Sequence, residues 1–316
     1  MNIFILAAGL GNRLKPLTIL QPKPAVPFLN VPMGYFAFRY LHELRPSQLV
    51  VNSFHLADQV STLYRTNVYW SGRTDISHDG NAILGSAGGL KKAAKFFTSQ
   101  DTLLMINSDE VFFCSDASFL QRAREQHEKT NSLATLLVTA HPQAGKKFGA
   151  IWCDEQKNAL HIGKTCESPQ LRPWHYIGYV FLHPEVLALI EPDKESNILY
   201  DVLIHHLSRV QIFPIDCRWY ETGNGPDYLE ATKICLQKID SDTLAFINRY
   251  DKSKLVTNEA GLSLISEKVS INEKSLRGYN VISGSTQMNL LNSSELISDS
   301  VFFEDIRLNA RYFSET

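Results

Sequence analysis

The opening of the chain restricts its fold more than any other stretch. Asn2 to Ala7 (NIFILA) reads as a buried strand, and it runs into Ala8-Gly9-Leu10-Gly11-Asn12-Arg13, with Pro22-Lys23-Pro24 following. A strand feeding a loop of small residues lets backbone N–H groups come close to a bound phosphate, because glycine carries no side chain to hold the ligand off. Arg13 can fork onto phosphate oxygens, and Lys23 can supply a point charge. The loop is not a P-loop, since GxxxxGK is missing, and not the dinucleotide fingerprint, since the third glycine is absent. A plain glycine turn with surface cations is the competing reading. The combination of strand, loop, Arg13 and Pro-Lys-Pro weighs against it.

The rest of the chain supplies the sheet that such a strand needs. Gln48 to Asn52 (QLVVN), Thr102 to Asn107 (TLLMIN) and Ser132 to Thr139 read as further strands. Helical spacing joins Met33, Phe36, Ala37, Tyr40, Leu41 and Leu44, and recurs over Leu56 to Arg65, Ser86 to Phe97, Ile198 to Leu207 and Asp227 to Ile239. Strands alternating with helices predict a Rossmann-like α/β fold, a mixed, mostly parallel sheet with helices on both faces. Ligands of such sheets bind beyond the carboxyl ends of the strands.

After about Asp251 the composition changes. Gly, Ser and Asn increase, and three six-residue units stand in register: VSINEK from Val269, SLRGYN from Ser275 and VISGST from Val281. SDSVFFEDIRL, from Ser298, resembles a closing coil. Hexapeptide units stack as a β-helix, so residues 251–316 are expected to form a short β tail resembling a left-handed β-helix behind a domain of residues 1–250. Its inward positions would be Ile271, Arg277 and Ser283; an irregular β tail is the alternative. The tail is expected to serve packing or assembly, as the surface through which a homo-oligomer would form.

Composition narrows the function classes. The formal net charge of 316 residues is −2, which gives no overall basic surface for nucleic acid. The five cysteines are odd in number and lack metal-ligand spacing, so reduced thiols fit better than a disulfide framework. No stretch approaches the roughly 20 apolar residues of a membrane helix. The short apolar start lacks the basic flank of a signal peptide. A soluble, cytoplasmic protein is expected.

Taken with the blocks that follow it, the opening segment resembles the signature of nucleoside-diphosphate-sugar pyrophosphorylases, in which AAGxGTRLxPLT precedes PKP. Ile83 to Leu90 (ILGSAGGL) is similar to the family's LGTAGGL, Asn107-Ser108-Asp109 to its NGD, and Trp219 to Gly223 with Asp227 to Ala231 to its WxDIGTPxDYLEA block. Val51 to Ala57 (VNSFHLA) resembles the VNxHHLA of the guanylyl- and uridylyltransferase branches. The resemblance spans most of residues 1 to 235. It implies attack of a sugar 1-phosphate on a nucleoside triphosphate, giving an NDP-sugar and pyrophosphate. It assigns Arg13 and Lys23 to catalysis, and Leu6, Ala7, Ala8, Gly9, Gly11, Asn12, Asn52, Gly85, Ser86 and Ala87 to the nucleotide. It assigns Gly149, Glu167 and Gly178 to the sugar phosphate, with Lys164 nearby as the candidate substitute for the Lys that the EKP motif would supply, and Asp109 and Glu221 to Mg²⁺.

This chain departs from the family at Asn12, Ser108, Glu221 and Ser168, the last in Glu167-Ser168-Pro169 where the family has EKP. The branch it most resembles is the mannose 1-phosphate guanylyltransferases. A uridylyltransferase acting on an amino-sugar phosphate is the alternative, and the departures keep open a non-catalytic nucleotide-binding protein.

Overall fold

A computed structural model of the chain describes residues 1–46, 48–67, 70, 72–97, 101–286, 296–304 and 306–314. Its contacts form two compact units, one of residues 1–10 and 37–219, the other of residues 11–36 and 220–316. The units do not divide at residue 250. Residues from 251 onward share a unit with 11–36 and with 220–250.

The first unit is built on a nine-stranded sheet. Its centre is parallel: Leu103–Asn107, Asn2–Leu6, Gln48–Ser53 and Arg73–His78 lie side by side in that order. Arg172–Leu182 then pairs antiparallel with Leu103–Asn107, and carries Ala150–Cys153 and Ala134–Thr139 on its other side. Successive strand residues point to opposite faces. Ile3, Phe4 and Ile5 are all fully buried, so both faces are covered. Phe4, Val50 and Met105 share a core cluster with Ala87, Leu90 and Ala93 of helix Gly85–Ala93. Tyr40 stacks on Phe112 and meets Phe119 of helix Phe119–Thr130 edge-on. All five cysteines are unpaired, as expected. Among the described residues, no helix is long and apolar enough to cross a membrane.

Two expected helices differ in form. The spacing over Met33 to Leu44 resolves into three short turns, Met33–Tyr35, Phe38–Leu41 and His42–Leu44. Ile198 to Leu207 is a wide turn, Ile198–Val202, followed by tight turns over Leu203–Arg209. Side chains cap its start: Asn197 accepts from the Leu199 and Tyr200 N–H groups, and Ser86 Oγ accepts from that of Ile198.

The second unit packs Phe28 against Phe36, Tyr220 and Tyr228. Helix Gly225–Gln237 starts with Pro226 in its first turn, as expected, and Asn224 caps it by accepting from the Asp227 N–H at 3.0 Å. The tail forms parallel pairs characteristic of stacked coils: Gly261–Ser266 with Asn280–Ile282, Asn280–Ile282 with Val301–Phe303, and Leu276–Arg277 with Ile297–Ser298. Ile265, Val269, Leu276, Ile282, Ile297 and Phe302 fill it. The inward register is therefore one residue earlier than expected at two coils. Leu276 points in where Arg277 was expected, and Ile282 where Ser283 was. The reason is chemical: Arg277 Nη1 donates to the Lys274 and Leu276 carbonyls, and its Nε pairs with Glu259 at 2.9 Å. Ile271 packs against this core only in part. SDSVFFEDIRL provides Ile306–Leu308, antiparallel to Val301–Phe303; its Asp305 lies outside the described residues.

Candidate active site

Strand Asn2–Leu6 ends in the first unit at buried Ala7 and Ala8, followed by exposed Gly9. Asn52, on the neighbouring strand and 1% exposed, governs this exit. Its Oδ1 accepts from the Ala7 N–H at 2.8 Å and the Ala8 N–H at 3.2 Å. Its Nδ2 faces the Asp79 carboxylate at 3.4 and 3.5 Å. Asp79 is buried, and desolvation holds its carboxyl above the usual range despite the Leu84 N–H, Asn52 and Lys92. Two loop N–H groups are thus committed to Asn52. At Gly9, the next residue, nothing lies within 4 Å of where a side chain would begin. That is where a phosphate can approach the backbone.

The LGSAGG segment serves close packing inside the same unit. Gly85 has φ +68°, and a side chain there would begin 2.5 Å from the Ser196 carbonyl oxygen. The Ala87 N–H donates to that carbonyl at 2.9 Å, and Ser86 Oγ accepts from the Ile198 N–H at 2.8 Å. Of the three residues expected on the nucleotide, Ser86 and Ala87 therefore already spend polar groups on the 196–198 backbone.

The second unit carries the cations. Gly11 is left-handed at φ +63°, and Thr18 Oγ1 donates to its carbonyl at 2.9 Å. Asn12 and Arg13 follow on an exposed turn, Asn12–Leu14. Glu221 Oε1 accepts from the Gly223 N–H at 2.6 Å. A side chain on Gly223 would begin 2.4 Å from that oxygen and 3.0 Å from Arg13 Nη2. Carboxylate and guanidinium are thus seated on one stretch of bare backbone. Lys23 is half-buried between Pro22 and Pro24 at the start of turn Lys23–Ala25.

A family model described as nucleotidyl transferase matches residues 3–238. The chain belongs to the nucleotidyl transferase family. It is 28% identical over 254 residues to a UTP–glucose-1-phosphate uridylyltransferase of Synechocystis sp., covering 75% of this chain and 64% of that protein. It is 29% identical over 242 residues to a mannose-1-phosphate guanyltransferase of Debaryomyces hansenii, covering 75% and 65%. The chain thus spans less than two thirds of the length of these curated relatives. The fold is shared with a UDP-glucose pyrophosphorylase from Acinetobacter baumanii at TM-score 0.63 and 15% identity, over 78% of this chain and 96% of that one.

In this member of the family, Asp109 lies in a turn just after strand Leu103–Asn107, and the Ser108 N–H ties that turn to the Leu6 carbonyl at 3.0 Å. Among the described residues, no group of three or more His, Cys, Asp or Glu side chains gathers as a metal cage. Mg²⁺ does not require one, since it is commonly held by one or two carboxylates with water and substrate phosphates completing the shell. Asp109, in the first unit, and Glu221, in the second, each offer hard oxygen donors, and Glu221 Oε1 is oriented by the Gly223 N–H.

Of the residues expected on the sugar phosphate, Gly149 and Lys164 lie at neighbouring strand ends, because Gly163 pairs with Ala150. Glu167 lies exposed in the loop that follows. A side chain on Gly149 would begin 3.1 Å from the Tyr200 hydroxyl. Gly178 lies elsewhere, at φ +76° inside strand Arg172–Leu182 and against Glu110. Sequence reading missed both Glu110 and Asp79, whose partners are distant in the chain.

Next to Gly149, the Phe148 ring packs with those of His141, His175 and Trp219. His175 is 7% exposed, and among the described residues neither ring nitrogen has a hydrogen-bond partner. Burial, with His141 nearby, pushes its pKa down to about 4, and burial with His183 nearby does the same for His127. The unfolded chain takes up these two protons near pH 6.5, and the folded chain only near 4. Their contribution is therefore fully present above pH 6.5 and is lost as pH falls toward 4. The slope should approach about 2.7 kcal/mol per pH unit once both unfolded-state histidines are ionised. Urea unfolding between pH 7 and 4.5 measures it. His175→Phe should lower the slope by about half, and an unchanged slope in that variant would contradict the assignment.

Proposed function

We propose that this chain joins a sugar 1-phosphate to a nucleoside triphosphate and releases pyrophosphate, with mannose 1-phosphate and GTP as the preferred pair. The observation that carries the reading is the loop at Ala7–Gly9: Asn52 fixes its base, and its backbone is open at Gly9. A sugar-phosphate oxygen attacks the α-phosphorus and forms a new P–O bond. The bond to the β-phosphate oxygen breaks, and pyrophosphate leaves with the electron pair.

Both reactants are anions, and two unit charges about 4 Å apart repel by roughly 4 kcal/mol at an effective dielectric near 20. Arg13 offsets the charge accumulating on the leaving pyrophosphate, and Lys23 binds the triphosphate beside it. Asn52 holds the loop so that the N–H groups from Gly9 onward face the phosphates. Lys164 supplies the sugar-phosphate side with the cation that Ser168 does not. Asp109 and Glu221 are the candidate donors for Mg²⁺, which would supply Lewis-acid polarisation of the phosphates when bound. No general base is needed, because the attacking oxygen is already ionised.

The guanylyl preference is supported by the mannose-1-phosphate guanyltransferase relative and by the LGSAGGL loop, VNSFHLA and the short repeat tail taken together. The Synechocystis relative supports the second reading, UTP with a hexose 1-phosphate. Competition among GTP, UTP, dTTP, ATP and CTP, each with mannose, glucose and N-acetylglucosamine 1-phosphates, decides between them. GTP with mannose 1-phosphate should give the highest kcat/KM. Turnover with UTP alone would remove the guanylyl assignment.

A further inference from the structure

The turn that presents Asp109 is closed across its base by the residue that follows it. Asn107 Nδ2 donates to Glu110 Oε1 at 3.2 Å, bridging the first and fourth residues of the turn. Glu110 Oε2 accepts from Trp219 Nε1 at 2.8 Å, so both carboxylate oxygens are engaged, by donors 112 positions apart in the chain. Gly178 provides the space. A side chain there would begin 2.3 Å from Glu110 Cγ and 2.5 Å from its Oε1, and its left-handed φ of +76° belongs to a strand whose register shifts between Tyr176 and Val180. Asp109 therefore sits on a turn anchored by the Asn107 amide, the Trp219 indole and the Leu6 carbonyl.

We propose that Glu110 is a positioning residue, a clamp that holds the Asp109 carboxylate in place for a divalent cation. This rests on the reading of Asp109 as a metal ligand. The two oxygens of a carboxylate accept from both donors at once. An amide at this position presents one oxygen and one NH₂, so in either orientation a donor faces Asn107 Nδ2 or Trp219 Nε1. Charge-assisted bonds of this kind are the stronger and more directional ones. Partners that orient a metal ligand typically change metal affinity about 10–100-fold when removed.

The test measures Mn²⁺ binding by electron paramagnetic resonance, with GTP present, in the native protein and in Glu110→Gln, Trp219→Phe, Gly178→Ala and Asp109→Asn. Hydrogen exchange at the Ser108 to Glu110 amides is followed in the metal-free proteins. Glu110→Gln and Trp219→Phe should each weaken Mn²⁺ binding about tenfold and speed exchange across the turn, and their double variant should be no weaker than either alone. Gly178→Ala should act in the same direction, by displacing Glu110. Should Glu110→Gln fail to fold, Trp219→Phe keeps the indole's packing role and loses only its donor. If Asp109→Asn binds Mn²⁺ like the native protein, the metal-ligand reading of Asp109 fails. If Asp109→Asn is impaired while Glu110→Gln and Trp219→Phe bind normally, the clamp is overturned and the reading of Asp109 stands.

Discussion

Arg13→Ala should lower kcat by about 10²–10³, with a smaller change in nucleotide affinity. The guanidinium lies against Gly223 beside the Glu221 carboxylate, on an exposed turn. Its loss should leave the fold intact and remove charge from the leaving pyrophosphate, where the need is greatest in the transition state. Arg13→Lys should recover only part of the rate, because an ammonium cannot fork across two phosphate oxygens. Steady-state kinetics with both substrates varied measures the effect. Unchanged turnover in Arg13→Ala would remove Arg13 from the reaction.

Asn52→Ala should be the most damaging single change to the nucleotide loop. It strips the shared acceptor from the Ala7 and Ala8 N–H groups, in a place where Asn52 is 1% exposed. It also leaves the buried Asp79 carboxylate without its amide neighbour. Two orphaned N–H groups cost about 2–4 kcal/mol, which would lower the melting temperature by roughly 5–10 °C. Nucleotide binding should fall further than stability alone explains, because the loop loses its fixed base. Calorimetric melting and nucleotide titration of the same variant separate the two effects. Native nucleotide affinity in a destabilised Asn52→Ala would show that the Asn52 bonds do not set the binding geometry.

Much of this arrangement was legible in the sequence because it is local. NIFILA reads as a strand, and it is one, buried on both faces. The Gly-rich loop and the Asp109 turn each fall just after a strand, and Asn52 lies at the carboxyl end of one, where an α/β sheet places its ligands. Strand Arg73–His78 was missed because RTDISH is polar and lies at one end of the sheet, where alternation is weak. Helix Phe119–Thr130 escaped because FLQRAREQHEKT buries only four residues, Phe119, Leu120, Ala123 and His127. The tail's inward register was misjudged because Arg277 and Ser283 hold plausible hexad positions, and only the bonds of Arg277 to nearby carbonyls and Glu259 show that it points away.

Glu110 illustrates what sequence cannot reach. Its partner Trp219 is 109 residues away, and nothing around NSDE marks the pairing. The one clue was a glycine inside the strand YIGYVFL, a position that often signals close approach by another group. Sequence reading expected Gly178 on the sugar phosphate; in the fold it makes room for the Glu110 side chain. The compact units likewise join Gly11–Phe36 with the tail, since Asn30 Nδ2 donates to Ser253 Oγ and to the Ile282 carbonyl, both at 3.1 Å. Such long-range pairing leaves no periodic trace.

The most direct measurement of the central claim is pyrophosphate release with a nucleoside triphosphate and a sugar 1-phosphate together, with and without Mg²⁺. The expected result is release that requires all three, yields an NDP-sugar in equal amount and is lost in Arg13→Ala. Binding of nucleotide without pyrophosphate release, for every triphosphate paired with every sugar 1-phosphate, would contradict it and leave the chain a nucleotide-binding protein that has kept the fold without the reaction.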